Sequence, residues 1–336
     1  MRTCQNVLVT GGCGFIGSAF IRRTLADEGF SGTLVNLDAL TYAGSVLNLP
    51  GADKDPRYTF CEGRIQDRAL VEELCREHSI DTVVHFAAES HVDRSIDGPA
   101  EFIDTNILGT FSLLEVVRKL GNIHFHHVST DEVYGSLGET GLFHETTAYD
   151  PRSPYSASKA ASDHLVRAYG HTYGVSFTLS NCSNNYGPFQ FPEKLIPLMT
   201  LNCFNRKALP IYGDGKNVRD WLYVDDHVDA IWLVLRKGKQ GESYNIGGDC
   251  ELKNLDLIKQ LIEIVAECSD QTVEEISGLM TFVEDRAGHD RRYAIDFSRI
   301  QGELGWSPAH TFATGLSETV KWYQQNPEWV EAVSER

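Results

Sequence analysis

The chain has 336 residues, 42% hydrophobic and 23% charged, an ordinary globular composition that can bury one large core or two unequal domains. Its formal net charge of −17 argues against nucleic acid or an anionic membrane surface as partner, because both require a basic field. No apolar run approaches the roughly 18 residues of a membrane span, no signal-peptide pattern opens the sequence, and its eight cysteines are scattered without a CxxC pair. Reduced thiols and a cytoplasmic location are therefore expected.

Val7 to Val9 is a short apolar strand that runs into Gly11-Gly12-Cys13-Gly14-Phe15-Ile16-Gly17 and then an amphipathic helix carrying Phe20, Ile21 and Leu25. Glycines at 11, 14 and 17 give a GxxGxxG variant of the dinucleotide fingerprint. Gly11 permits the tight turn, Gly14 lets the backbone approach a pyrophosphate, and Gly17 lets the helix pack closely on the strand. The pyrophosphate is expected at the helix N-terminus, where unpaired N–H groups and the dipole favour an anion. A second strand from Thr33 to Leu37 ends at Asp38, twenty-one residues after Gly17. A carboxylate there suits the adenosine ribose hydroxyls and favours NAD over NADP.

Strand and helix go on alternating. Tyr58 to Cys61 is a third strand, Leu70 to His78 a helix, and Thr82 to Phe86 a fourth strand opening into Ala87-Ala88-Glu89-Ser90. Ala100 to Leu120 is expected as one long helix with Ile103, Ile107, Phe111 and Leu114 on its apolar face, and Ile123 to Val128 as the fifth strand. Repeated βα units predict an α/β, Rossmann-type doubly wound parallel sheet, with ligands outside the carboxyl ends of its strands. His124, His126 and His127 fall on the fifth strand. The first two share a face and the third does not, and no nearby ligands complete a set, so no metal site is expected.

At the end of that strand stand Ser129-Thr130-Asp131-Glu132, a hydroxyl followed by two carboxylates. Tyr155 and Lys159 lie four apart on a helix expected to start near Ser153, on one face. A lysine ammonium and a cationic nicotinamide would lower the tyrosine pKa, so that a phenolate can accept a proton from a sugar or steroid hydroxyl. From about Asn181 loops dominate, followed by helices over Leu255 to Cys268 and Phe312 to Asn326. We expect an NAD-binding domain over 1–180, re-entered around 221–245, and a smaller, mainly substrate-binding α/β domain over 181–336.

GxxGxxG combined with YxxxK resembles the extended short-chain dehydrogenase/reductase family. Longer stretches resemble its dTDP-glucose 4,6-dehydratase branch: Asp38 to Gly44, His85 to Ser95, Ser129 to Gly135, Asn181 to Gly187, Pro192 to Pro197, Arg219 to Val224, Tyr244 to Gly248 and Asp285 to Tyr293. The most specific is Thr130-Asp131-Glu132, since epimerases and decarboxylases of the superfamily lack this acid pair. The resemblance implies dehydration of a nucleotide-activated glucose, most readily dTDP-glucose, with NAD regenerated each turnover. Tyr155 and Lys159 would serve oxidation at C4, Glu132 would be the base at C5, Asp131 the acid at the C6 hydroxyl, and Thr130 would orient the sugar.

It further implies NAD contacts at Gly11, Gly14, Phe15, Ile16, Gly17, Asp38, Ala39, Leu40, Thr41, Arg64, Ile65, Phe86, Ala87, Ala88, Glu89, Ser90, Thr105, Tyr155, Lys159 and Asn185. Substrate contacts are implied at Ser90, Thr130, Asn184, Lys194, Leu195, Pro210, Ile211, Tyr212, Arg219, Asn254, Asp285, Arg286, Ala287, Gly288 and His289. Lys194, Arg219 and Arg286 are cations suited to a diphosphate. A homodimer through the helices at 100–120 and 153–173 is also implied.

Two positions depart from the pattern. Arg64 stands where the family has an aspartate that bonds the adenine amino group, and arginine cannot accept. It could approach a 2′-phosphate, but Asp38 argues against NADP. Ala287 replaces a usual proline, which loosens its loop. The rival readings are an NAD-dependent sugar-nucleotide 4-epimerase, which conserves the mass of the sugar, and a nucleotide-sensing protein without turnover.

Overall fold

The computed structural model describes residues 2–285 and 289–335. Its strands are β1 (Asn6–Thr10), β2 (Thr33–Asp38), β3 (Tyr58–Glu62), β4 (Thr82–His85), β5 (His124–Thr130), β6 (Phe177–Cys182), β7 (Asn184–Tyr186), β8 (Leu209–Tyr212), β9 (Val218–Tyr223), β10 (Ser243–Ile246), β11 (Glu251–Lys253) and β12 (Met280–Val283). Seven of them form one sheet in the order β10-β6-β5-β4-β1-β2-β3, every neighbouring pair parallel. Helices cover both faces, so the central strands are buried on both sides. β4 and β5 are buried along their whole length, as parallel sheets require. Strand order reverses between β1 and β4, which opens a crevice at the carboxyl ends of those two strands.

The expected strands are present, with ends shifted by a residue or two. β5 runs on to Thr130, so the hydroxyl belongs to the strand and the two carboxylates to the turn after it. The single helix expected over 100–120 is instead broken. Val92–Asp97 and Pro99–Phe102 lead into a widened π-helical turn, Ile103–Gly109, and only then into Thr110–Leu120. The wide turn lets Asn106 leave the regular helical pattern. Its amide donates to the carbonyl of Glu89 at 3.0 Å and to Ser158 Oγ at 2.8 Å, and its oxygen accepts from the Glu89 N–H at 2.9 Å. Asn106 thus fastens the loop after β4 to the helix that carries Tyr155. Apolar periodicity does not reveal such a turn, because it says nothing of where a buried amide finds partners.

That helix, Pro154–Tyr173, is well specified. Ser153 and Ser156 form a reciprocal capping box, proline occupies the first turn, and Gly174 ends the helix in the left-handed region at φ 70°, each the residue its position favours.

The remainder of the described chain builds two small sheets, β11-β9-β7 and β12-β8, packed on helices Leu195–Phe204, Asn254–Cys268 and Phe312–Gln325 around Met199, Leu257, Leu261 and Leu316. Helix Val224–Lys237 returns to the large sheet beside helix Phe15–Ala26. Trp232 stacks on Phe20 with ring centres 5.0 Å apart, and its indole N–H donates to Thr24 Oγ1 at 2.8 Å. This contact ties residues 224–237 to the glycine-loop helix. Trp232→Ala should therefore cost roughly 3–5 kcal/mol of unfolding free energy, and Trp232→Phe clearly less. Chemical denaturation measures both; an Ala variant as stable as the parent would mean that this packing contributes little.

Candidate active site

The crevice is a cleft of about 1680 Å³, including its open mouth. Its floor is the glycine loop. Gly11 has φ +72° and sits so close to the loop after β4 that a Cβ there would lie 2.6 Å from Ala87 backbone atoms; a Cβ on Gly17 would lie 2.3 Å from the Gly11 carbonyl oxygen. Both positions therefore require glycine. Helix Phe15–Ala26 starts at Gly14 without a side-chain cap, which leaves its first N–H groups for an anion. At the end of β2, Asp38 Oδ2 accepts from the Cys13 N–H and Oδ1 from the Leu40 N–H, both at 2.8 Å. These bonds fix the carboxylate and leave acceptor capacity for a ligand. Further along, Asn184 Oδ1 and Gln190 Oε1 are buried at the cleft without partners. Glycine cradle, fixed carboxylate and waiting acceptors suit a dinucleotide.

The same cleft brings together Phe15, Ile16, Ala39, Thr41, Arg64, Ile65, Phe86, Ala87, Ala88, Glu89, Ser90, Thr105, Thr130, Glu132, Tyr155, Lys159, Asn184, Asn185 and Lys194. Leu40 is not on its lining. It adopts φ 48° and serves the site through its amide bond to Asp38.

The chemistry is concentrated where β5 ends. Thr130 caps the turn Asp131–Tyr134, its Oγ1 accepting from the Glu132 N–H at 3.2 Å. The turn sends the two carboxylates into different surroundings. Asp131 is 1% exposed and its Oδ2 has no hydrogen-bond partner. Burial, then the charges of Glu132 and Asp220, hold its pKa well above the usual carboxylate range, and Arg219 only partly offsets them. Glu132 is half-buried and faces the cleft. One carboxyl is thus kept as an acid while its neighbour opens onto the ligand space, the arrangement that divides acid from base work. Tyr155 and Lys159 stand on the adjoining helix. Lys159 Nζ donates to the Val128 carbonyl at 2.9 Å. The expected lowering of the Tyr155 pKa does not come from the protein's own groups: burial and the charge of Glu132 raise the phenol well above its ordinary value. Positive charge has to be supplied by whatever occupies the cleft.

Comparison with known proteins places this geometry. The family model for GDP-mannose 4,6 dehydratase matches residues 8–319. A dTDP-glucose 4,6-dehydratase of Xanthomonas campestris pv. campestris is 52% identical, over 97% of this chain and 95% of that protein. Among solved structures, DesIV, the dTDP-glucose 4,6-dehydratase of Streptomyces venezuelae determined with NAD bound, superimposes with a TM-score of 0.92 at 47% identity, covering 97% of this chain and 99% of that one. The chain belongs to the dTDP-glucose 4,6-dehydratase family. A UDP-glucose 4-epimerase of Thermotoga maritima shares the fold at TM-score 0.86 and 31% identity, covering 96% and 99% of the two chains.

Of the further positions expected on the substrate side of this dehydratase family member, the described ones lie off the cleft lining. Pro210, Ile211 and Tyr212 form β8, with Ile211 buried in the smaller core and Tyr212 43% exposed. Leu195 and Asn254 each begin a helix. Arg219 is buried; its guanidinium lies 4.3 Å from the Tyr293 ring centre and donates to the Asp290 carbonyl at 3.0 Å. Asp285 pairs with His289, whose Nδ1 is 2.5 Å from its carboxylate. Arg286, Ala287 and Gly288 lie outside the described residues.

Several residues here escaped the sequence reading. Tyr42 and Glu193 meet across the cleft mouth, the phenol donating to Glu193 Oε1 at 3.1 Å, with Arg94 stacked 3.7 Å above the Tyr42 ring. No local motif links positions so far apart. Asp163 was within reach, being four residues after Lys159 on the same helix face.

The raised pKa of Asp131 has a consequence for stability. Between the unfolded and folded pKa values the native state retains a proton that the unfolded state releases, so this residue costs stability as pH rises above the ordinary carboxylate range. Asp131→Asn should raise the melting temperature at neutral pH, and the gain should vanish below about pH 4. Melting curves across that range check it; a gain that persists at acid pH would sink this account of Asp131.

Proposed function

We infer that this chain is an NAD-dependent hydro-lyase acting on dTDP-glucose, converting it to the 4-keto-6-deoxy sugar nucleotide. The observation that carries the inference is the divided pair, Asp131 buried and held as an acid beside a cleft-facing Glu132, within reach of the Tyr155–Lys159 helix. NAD, when bound by the Gly11–Gly17 loop and Asp38, supplies the hydride acceptor and a positive charge near Tyr155. Tyr155, assisted by Lys159, takes the proton from the C4 hydroxyl. The resulting ketone acidifies the C5 hydrogen, which Glu132 removes. Asp131, still protonated, donates to the C6 hydroxyl so that it leaves as water. Glu132 then returns a proton to C5 as C6 is reduced. Thr130 orients the sugar near O4. A 4-epimerase needs only the oxidation half of this set and has no use for a buried acid next to the base.

Lys194 supports the substrate side: Nζ bonds the Ser90 carbonyl at 3.0 Å while lining the cleft, a cation placed where a diphosphate would favour it. Arg219 and the Asp285–His289 segment complete the proposed substrate side, with residues 181–336 as its main domain.

Incubation with dTDP-glucose should give a product lighter by one water, with no net accumulation of reduced cofactor. In Glu132→Gln the C4 oxidation should proceed while elimination stops, so that reduced nicotinamide accumulates by absorbance. Mass spectrometry finding only an epimerised sugar of unchanged mass would reverse the reading.

We further propose a homodimer through the helical face at 92–120 and 154–173. Ile96, Ile103 and Leu108 are 41%, 44% and 49% exposed, and Tyr173 is 52% exposed, apolar side chains on these helices that a partner could cover. Light scattering should give twice the mass of the 37.5 kDa chain, and a charged residue in place of Leu108 should halve it. Free thiols at all eight cysteines suit a reducing compartment and support a cytoplasmic location. No helix among the described residues is long and apolar enough to cross a membrane.

A further inference from the structure

Behind Tyr155 and Lys159 lies a polar cluster that the chemistry above does not touch. Asp163 and His127 both have side chains that are 0% exposed. Asp163 Oδ2 accepts from Ser129 Oγ at 2.9 Å, from the Tyr149 hydroxyl at 2.8 Å and from Asn181 Nδ2 at 3.3 Å. Its Oδ1 faces His127 Nε2 at 3.2 Å. The Ser162 hydroxyl donates to the Lys159 carbonyl at 2.8 Å. His127 Nε2 lies 3.2 Å from Ser162 Oγ and 3.5 Å from Lys159 Nζ, so this ring nitrogen sits between the lysine and the carboxylate. Burial, and next the charge of Lys159, push its pKa down to about 4, so the ring is neutral. Burial alone would raise the Asp163 pKa, but the nearby His127, the charge of Lys159 and the Ser129 hydroxyl outweigh burial, and the net shift is downward. Asp163 is an ionised carboxylate shielded from bulk solvent.

Lys159 is its counterpart, 4% exposed where it meets the cleft; burial lowers its pKa and the charge of Asp163 opposes that shift. A buried ammonium without a counter-charge sheds its proton. The titratable groups around it are His85 from β4, His127 from β5, Cys182 from β6, and Tyr155 and Asp163 from its own helix. Both imidazoles are neutral, the thiol is pushed up to about 12, and the phenol is raised. Among these groups Asp163 alone is an anion at neutral pH. It also reaches the reacting centre by a second route, since Asn181 Nδ2 bonds both Asp163 and the Thr130 carbonyl, the latter at 3.1 Å.

We propose that Asp163 is a positioning residue of the catalytic centre: its buried carboxylate keeps Lys159 in the ammonium form and, through Ser129 and Asn181, holds the end of β5 that carries Thr130. The link to turnover rests on the reaction inferred above; the charge balance does not.

A melting-temperature cycle over Lys159→Met and Asp163→Asn separates the two. In the parent, Asp163→Asn should lower the melting temperature. In Lys159→Met, where Asp163 has lost its counter-charge, the same change should raise it. Equal lowering in both backgrounds would overturn the charge balance. If Asp163→Asn alone does not fold, comparing Lys159→Met with the double variant still decides the matter. In a folded Asp163→Asn enzyme, the alkaline limb of single-turnover hydride transfer from dTDP-glucose should move down by roughly one to three pH units. A residue that merely supports the fold would depress the rate equally at every pH, and an unmoved limb would remove Asp163 from the positioning role. If dTDP-glucose is not a substrate at all, the inferred reaction fails while the melting cycle stands on its own.

Discussion

One hydrogen bond sorts the active-site carboxylates. Thr130 is the last residue of β5, and its hydroxyl accepts from the Glu132 N–H to start the next turn. A threonine side chain in that position stops the strand and reverses the alternation of side chains. Asp131 is turned into the protein and Glu132 toward the cleft. Continued strand geometry would also have put them on opposite faces, but one would then have pointed into the helices on the far side of the sheet. The cap keeps both near Tyr155, in media of different polarity. Burial then sets the two apart, because desolvation of Asp131 raises its pKa and favours its protonated form.

The same constraint explains the polar interior beneath. A sheet buried on both faces has no water to satisfy side chains, so every hydroxyl and imidazole on β4, β5 and β6 must find a partner within the protein. His124 bonds Ser176 and Thr178, His126 bonds Thr178 and Ser180, and His85 bonds Thr10 and Thr110. These histidines are neutral struts between neighbouring elements. They stiffen the strand ends from which the reacting groups project, and a stiff support is what holds Thr130 and Tyr155 in one geometry.

Much of this was legible in the residues. GxxGxxG after an apolar strand, Asp38 at the end of the next, and the βα alternation dictate the sheet and its cofactor edge, because each depends on local spacing alone. The acid pair and the Tyr155–Lys159 spacing were visible for the same reason. What local spacing could not carry was the π-helical turn at Ile103–Gly109, which answers to the partners of Asn106, or the Tyr42–Glu193 bridge, which joins residues 151 apart. Nor could it show the sign of the Tyr155 shift. Sequence places a lysine one turn away, but only the fold shows that Tyr155 is buried and that Glu132 is near enough to oppose the lysine.

The two ends of the cleft are built on different principles. At the dinucleotide end the contacts are backbone: a left-handed Gly11, a Gly17 in contact with Gly11, and amides that fix Asp38. Side chains there would collide, so the sequence has little freedom. At the mouth the contacts are long side chains, Tyr42, Arg94, Glu193 and Lys194, on loops that tolerate substitution. The dinucleotide end is therefore the more constrained of the two, and the mouth the freer to change. The point at which the two principles meet is the end of β5. There the backbone fixes Thr130 to within a hydrogen bond, and in the proposed reaction the two side chains that follow decide whether a ketone at C4 is simply reduced again or first loses water. On that proposal one buried carboxyl with a raised pKa makes the difference, and the position immediately after Thr130 then carries more of the reaction's identity than the sheet that supports it.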